Sequence, residues 1–278
     1  MKVIFYIALF SISFVSCKQK GTEAQSTQAV QKGSCNIGKW NSSKLPLNLK
    51  ISPELVQDFT DTHIGGTNSI ESMAKVWNNA VPSPLFTVPL GTATSNGSST
   101  LSGFHDNELG IYKSDNWFNG VSSNALAITQ FYGTVASDGS LGTYIDLTHA
   151  DIILNYHNFT SYDLTYTGSS FDYDVPTIVL HEMGHFLGLC HENTATSIMA
   201  PYYLTTQRTL KTFDIAKISA LYVNNQNYAS ALTAPQSNNI NALTIPVGSK
   251  VKGIVELNAN GICKHYINGK LVHQHIQQ

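Results

Sequence analysis

The chain carries little charge. Only 12% of its 278 residues are Asp, Glu, Lys or Arg, and 16 basic residues against 18 acidic ones leave a formal net charge of −2. A surface without a basic surplus cannot collect a phosphate backbone, which excludes a nucleic-acid partner on charge grounds. Long apolar runs are scarce as well. The run "VIFYIALFSISFV" after Lys2 is too short for a permanent membrane helix and has the size of a signal-peptide hydrophobic region. There are four cysteines, and no internal repeat is visible. What is abundant is apolar or polar without charge. With 42% hydrophobic residues the chain can build one substantial globular domain, with room for a small appendage.

The N-terminal run ends at "FVSC", where small Ser16 precedes Cys17. This resembles the lipobox of bacterial lipoproteins, so residues 1–16 are read as a lipoprotein-type signal peptide and Cys17 as the lipidated first residue. Ordinary secretion with cleavage nearby is the alternative. Residues 17–34 are polar with almost no large apolar side chains, and are read as a flexible tether with no room for a large inhibitory prodomain. The expected location is the cell envelope, at the outer membrane or cell surface, or outside the cell. Cys35, Cys190 and Cys263 form an odd set, which suggests one disulfide and one spare thiol whose pairing stays open. Cys35 is read as a disulfide partner, with a zinc-masking thiolate as the rival.

The folded part is expected to begin near Trp40. "LPLNLKIS" (Leu45 to Ser52), "LFTVPL", "ELGIYK", "ALAITQFYG" and "YIDLTHADIILNYHNF" read as strands. "SIESMAKVWNNAV" places Ile70, Met73, Ala74, Val76, Trp77 and Val81 at near-helical spacing before Pro82. A strand, a helix and then several strands predict an α/β fold with a twisted, mixed sheet of about five strands.

The chemistry is concentrated in "VLHEMGHFLGLCHENTATSIMAPYY", Val179 to Tyr203. Asp174 can cap a helix whose first turn holds Pro176, where a missing N–H costs nothing. His181 and His185 then project from one face, four residues apart, and can share one metal ion. Glu182 sits beside them as the candidate general base for water. Gly188 can adopt a left-handed conformation and turn the chain back. His191 thereby completes a three-nitrogen site with a position left for water, the arrangement of catalytic zinc.

HExxHxxGxxH followed by Met199 resembles the metzincin metalloproteases, and the eight-residue spacing from His191 to Met199 resembles their matrixin branch. "PYY" is similar to the matrixin wall of the S1′ pocket, giving Pro201 and Tyr203. "TFDIAKISALY" resembles the closing C-terminal helix, with Asp214 at an acidic family position. "ALAIT" resembles the edge strand that holds an extended substrate, which assigns Ala125, Leu126 and Ala127 to substrate binding. The resemblance runs from about Leu45 to Tyr222 and implies a zinc metalloendopeptidase with one catalytic ion, protein or peptide substrates and a monomeric chain. The implied domain order is a catalytic domain over 35–223, then a linker and small β-rich appendage over 224–278.

Glu192 stands where matrix metalloproteinases usually have Ser, and Pro201 where astacins place a metal-binding Tyr. The His- and Asp-rich loop that holds a second zinc in vertebrate relatives is missing, as is the cysteine-switch motif. His149, His157, Asp163, Asp172 and Asp174 are read as loop surface, and nothing supports a structural calcium ion. In the tail, Asn268-Gly269 reads as a two-residue hairpin turn within a β-meander. That register puts His265 on the face opposite His273 and His275, so the three are not expected to meet. Two rival functions are a zinc-stabilised binding protein without catalysis and a zinc hydrolase acting on another amide.

Overall fold

The computed structural model describes residues 38–58, 68–137, 143–159, 162–163, 173–192, 194, 196–223, 245–259 and 262–276. The elements are β1 (Lys39–Trp40), β2 (Leu49–Ile51), α1 (Pro53–Val56), α2 (Ser69–Asn78), β3 (Gly91–Thr92), β4 (Leu109–Ser114), β5 (Ala125–Ser137) and β6 (Thr143–Asn155). They continue as β7 (Tyr162–Asp163), β8 (Tyr173–Asp174), α3 (Val175–Phe186), α4 (Thr212–Tyr222), β9 (Lys250–Asn258), β10 (Ile262–Ile267) and β11 (Lys270–Ile276). The predicted signal peptide, tether and linker, with Cys17 and Cys35, lie outside the described residues, as does Asp172.

The expected mixed sheet is present and larger than five strands. Its order is β11-β10-β9-β5-β6-β4-β2-β3, with β1 pairing β6. The β1, β2, β3 and β4 pairings are parallel, while β5 runs antiparallel to both β6 and β9. The predicted β-meander exists as β9, β10 and β11, but it does not stand apart. It extends the same sheet along the outer side of β5. "LFTVPL" forms only a bridge, Leu47 to Phe86, and the neighbouring strand starts later, at Gly91. Pro89 interrupts the run because it has no N–H to give to a ladder.

Helix α2 begins with a capping box in which the Asn68 side chain accepts from Glu71 N and Glu71 returns a bond to Asn68 N. Its buried face includes Ile70, Met73, Ala74 and Trp77, the periodicity read from sequence. Helix α3 is buried along all twelve residues and sits on the sheet. Such a helix cannot leave its last carbonyl groups bare. Trp40 Nε1 donates to Phe186 O at 2.7 Å and the Tyr222 hydroxyl to Leu187 O at 2.7 Å. Trp77 Nε1 donates to Leu180 O at 2.9 Å. Residues from β1, α2 and α4 thus clamp α3, and the position of α3 sets the position of its histidines.

Candidate metal and catalytic site

Asp174 caps α3, accepting from Thr177 N at 2.9 Å, and Pro176 lies in the first turn. Arg208 Nε adds a bond to the same carboxylate at 3.0 Å, so Asp174 serves structure and is not loop surface. The helix ends after Phe186, and Gly188 takes φ +97°, the left-handed turn that its position required. Leu189 N then donates to Gly184 O at 2.9 Å, which starts the return toward His191.

The structure brings His181, His185 and His191 together in a buried cluster, the one group among the described residues able to hold a metal ion. Their Nε2 atoms lie 2.9 Å apart for 181–185, 3.0 Å for 185–191 and 3.2 Å for 181–191. Protonation decides what this means. His181 Nδ1 is 2.6 Å from Ile198 O, and His185 Nδ1 is 2.8 Å from Leu189 O. A carbonyl only accepts, so both Nδ1 atoms carry the hydrogen and both Nε2 atoms present lone pairs. Two lone pairs 2.9 Å apart in a site shut off from water repel, and a cation among the nitrogens relieves them. His191 joins the set with its Nδ1 2.7 Å from His265 Nε2; with the hydrogen on His191 Nδ1, its Nε2 too presents a lone pair. Such hydrogen bonds on the far nitrogen fix tautomer and ring orientation in metal sites. The residues fit zinc: three oriented imidazoles, with no further ligand in the cluster among the described residues.

Burial holds His181 far below its ordinary range, down to about 4, with the Ile198 carbonyl opposing. Glu182 is moved the other way. Its carboxyl is wholly buried, and burial pushes it up to about 8 against the opposing Thr129 hydrogen bond. Thr129 Oγ1 donates to Glu182 Oε2 at 2.5 Å, while Oε1 has no partner among the described residues. Once ionised, a carboxylate oxygen without a donor is positioned to accept a proton from what enters the site.

Met199 lies in a tight turn beneath the helix, where a β-carbon at Gly184 would overlap its sulfur. Asp214 at the start of α4 organises this turn. Its carboxylate accepts from Ser197 Oγ at 2.5 Å, Ile198 N at 3.3 Å and Lys211 N at 2.8 Å. Since Ile198 O orients His181, Asp214 reaches the cluster through one residue. Pro201 is buried beside the turn and its carbonyl accepts from the Cys263 thiol. Tyr203 stacks edge-on to Tyr173, and its hydroxyl accepts from Asp174 N at 3.0 Å.

Several readings from sequence need correction. Ala125, Leu126 and Ala127 are fully buried in β5, which is not a free edge, because β9 pairs with it from Ala125 to Thr134. His149 belongs to β6, buried, with Nε2 2.7 Å from Asp151 Oδ2. His157, by contrast, lies exposed in the turn after β6, the loop surface read from sequence, with Nδ1 2.9 Å from Asp115 O. His265 and His273 share a face: they are direct partners across β10 and β11, because a bulge after His265 shifts the register that the Asn268-Gly269 turn implied. His265 and Thr129 are the two site residues whose roles the sequence did not reveal. Both partnerships are long-range. Cys190 is disulfide-bonded and Cys263 is a buried free thiol.

Two histidines four apart on a helix, a glycine turn, a returning third histidine and a methionine turn make this centre similar to that of the metzincins. The family comparison agrees. Residues 103–223 match the Matrixin peptidase family model, a span that holds β4 through α4 and every residue of the cluster. Karilysin of Tannerella forsythia is a similar protein, 34% identical over 64 residues, which is 23% of this chain and 13% of karilysin. The chain therefore covers a small part of that relative's length.

Proposed function

We propose that the chain is a zinc-dependent metalloendopeptidase that hydrolyses peptide bonds of proteins, with Glu182 as general base. The observation that carries this reading is the converged set of Nε2 atoms on His181, His185 and His191 whose Nδ1 sites are occupied by fixed partners. A zinc ion held there supplies Lewis acidity, acidifying water and polarising a peptide carbonyl. Glu182 accepts the proton of the attacking water at Oε1 and passes it to the leaving amine. Thr129 holds Oε2 and so fixes which oxygen is available. Asp214 and the Met199 turn keep His181 aligned. Pro201 and Tyr203, which follow the Met199 turn, supply an apolar wall for the residue after the cleaved bond.

The sequence also supports an exported protein anchored through lipid on Cys17. Among the described residues no helix is long and apolar enough to cross a membrane. Metal analysis of the purified chain, with peptide cleavage measured before and after chelation and after zinc is restored, tests the proposal. Cleavage indifferent to chelator despite complete zinc removal would sink it.

A further inference from the structure

The strand that this peptidase needs for an extended substrate is already paired. β9 lies antiparallel along β5, paired from Asn258 opposite Ala125 to Lys250 opposite Thr134, with one register shift between Ala125 and Ala127. Its end also meets the opposite wall. Asn258 forms a parallel bridge with Tyr202, and its carbonyl accepts from Tyr203 N at 3.4 Å. Ala259 N donates to Asn124 O at 2.9 Å. One extended segment is therefore gripped by main-chain bonds from β5 on one side and from residues 202–203 on the other. That is the grip by which a groove takes an extended peptide without reading its sequence.

The cover continues over the metal end. β10 brings His265 onto His191 and the Cys263 thiol onto the Pro201 carbonyl. With β9 and β10 in place, His181, Glu182, His185 and His191 are 2%, 0%, 0% and 3% exposed, which leaves Glu182 closed to solvent. A strand that only enlarged the sheet would pair with β5 and stop there. This one also spans to the residues after the Met199 turn.

We infer that β9, β10 and β11 are a built-in occupant of the peptide groove that keeps the chain latent, and that substrate enters when β9 leaves β5. The inference rests on the peptidase reading above. The occupant is held firmly but is displaceable. Val251, Val255 and Leu257 are buried, yet between the last two lies Glu256, a buried carboxylate supported by Ser122 N at 3.1 Å and Asn258 Nδ2 at 3.3 Å. Burying a carboxylate costs stability that an apolar side chain would not, which weakens docking where the groove must open.

The test uses the full chain. Tyr132 and Lys252 face each other across β5 and β9, at a solvent-accessible position away from the metal cluster. Directly opposed strand residues suit a disulfide, so Tyr132→Cys with Lys252→Cys locks the strand reversibly. A second variant, Leu257→Asp, puts a charge on the buried face of β9 and loosens it. Zinc content, exchange of the β5 amides with solvent and cleavage of a peptide library are measured, with the unsubstituted chain given the same oxidant and reductant because it has its own disulfide. We expect the oxidised lock to keep its zinc and cleave at least about ten-fold more slowly than its reduced form, since the rate follows the open fraction. Leu257→Asp should cleave about ten-fold faster than the unsubstituted chain, for the same reason. Equal rates in the oxidised and reduced lock would overturn the inference and leave the peptidase reading standing. A Leu257→Asp chain that holds zinc, exposes its β5 amides to exchange and still cuts nothing would remove both.

Discussion

Replacing Glu182 by Gln should stabilise the metal-free chain, and increasingly so as the pH rises. Glu182 is fully buried, with one carboxyl oxygen bonded to Thr129 and the other without a partner among the described residues. Burial raises its pKa from 4.5 to about 8. A raised folded-state value means that the stabilising contribution is complete below about pH 4.5 and is lost as the pH climbs through about 8. The size follows from the shift: a difference of about 3.5 at about 1.4 kcal/mol each gives on the order of 5 kcal/mol for forcing the charge into the site. Gln carries no charge at any of these pH values, so the cost disappears. His181 titrates in the opposite sense. Its depressed value of about 4 means stability is lost as pH falls from about 6.5 toward 4, but both proteins share that term and it cancels. Thermal melts of chelator-treated protein from about pH 5 to about pH 9 should diverge, Glu182→Gln gaining on the order of 10 °C at the alkaline end. Restoring zinc should narrow the gap, because a cation beside the carboxylate offsets its burial. Parallel melting curves across the whole range would show that Glu182 is not the desolvated acid described here.

Other substitutions should fail in distinct ways. Asp214→Ala strips three donors of their acceptor in a buried turn, and should cost about 1–3 kcal/mol in a denaturant titration while weakening zinc retention through Ile198 and His181. Gly188→Ala forces a side chain into φ +97° against the Gly38 carbonyl, and should lower both melting temperature and zinc content; a neutral result would mean the turn does not set His191. Cys17→Ser should release the protein from membranes or block its processing, and a wild-type chain already fully soluble outside the cell would end the anchor idea. Cleavage-site profiling should show medium or large apolar residues just after the cut bond, whereas cleavage mainly before Asp, Glu or Lys would contradict the roles given to Pro201 and Tyr203.

The parts of the site legible in the sequence are those set by local spacing. His181 and His185 share a helix face because 3.6 residues make a turn, and Gly188 announces a left-handed stop. α4 matches its predicted span from Thr212 to Tyr222. What escaped was set by partners far along the chain. Alternation reveals that β9 is a strand and which face is buried, but not that its neighbour is β5, more than a hundred residues earlier. Ala125–Thr129 consequently looked like a free edge. His265 escaped for a different reason: the single-residue bulge before Tyr266 moves its cross-strand partner from one face to the other, and no turn residue signals it. Asp214 was recognisable as an acidic position, but its bonds to Ser197 and Ile198 are visible only once α4 has packed.

The measurement that bears most directly on the mechanism compares Glu182→Gln with His181→Ala, His185→Ala and His191→Ala under conditions where the unsubstituted chain cleaves peptide. The histidine variants should lose zinc, and stability with it, since metal binding and folding are linked. Glu182→Gln leaves every ligand in place and should retain one zinc per chain while turnover falls by roughly 10²-fold or more, the scale of a lost general base. A Glu182→Gln chain that retains zinc and cleaves at the unsubstituted rate would contradict the account and leave the metal a structural role.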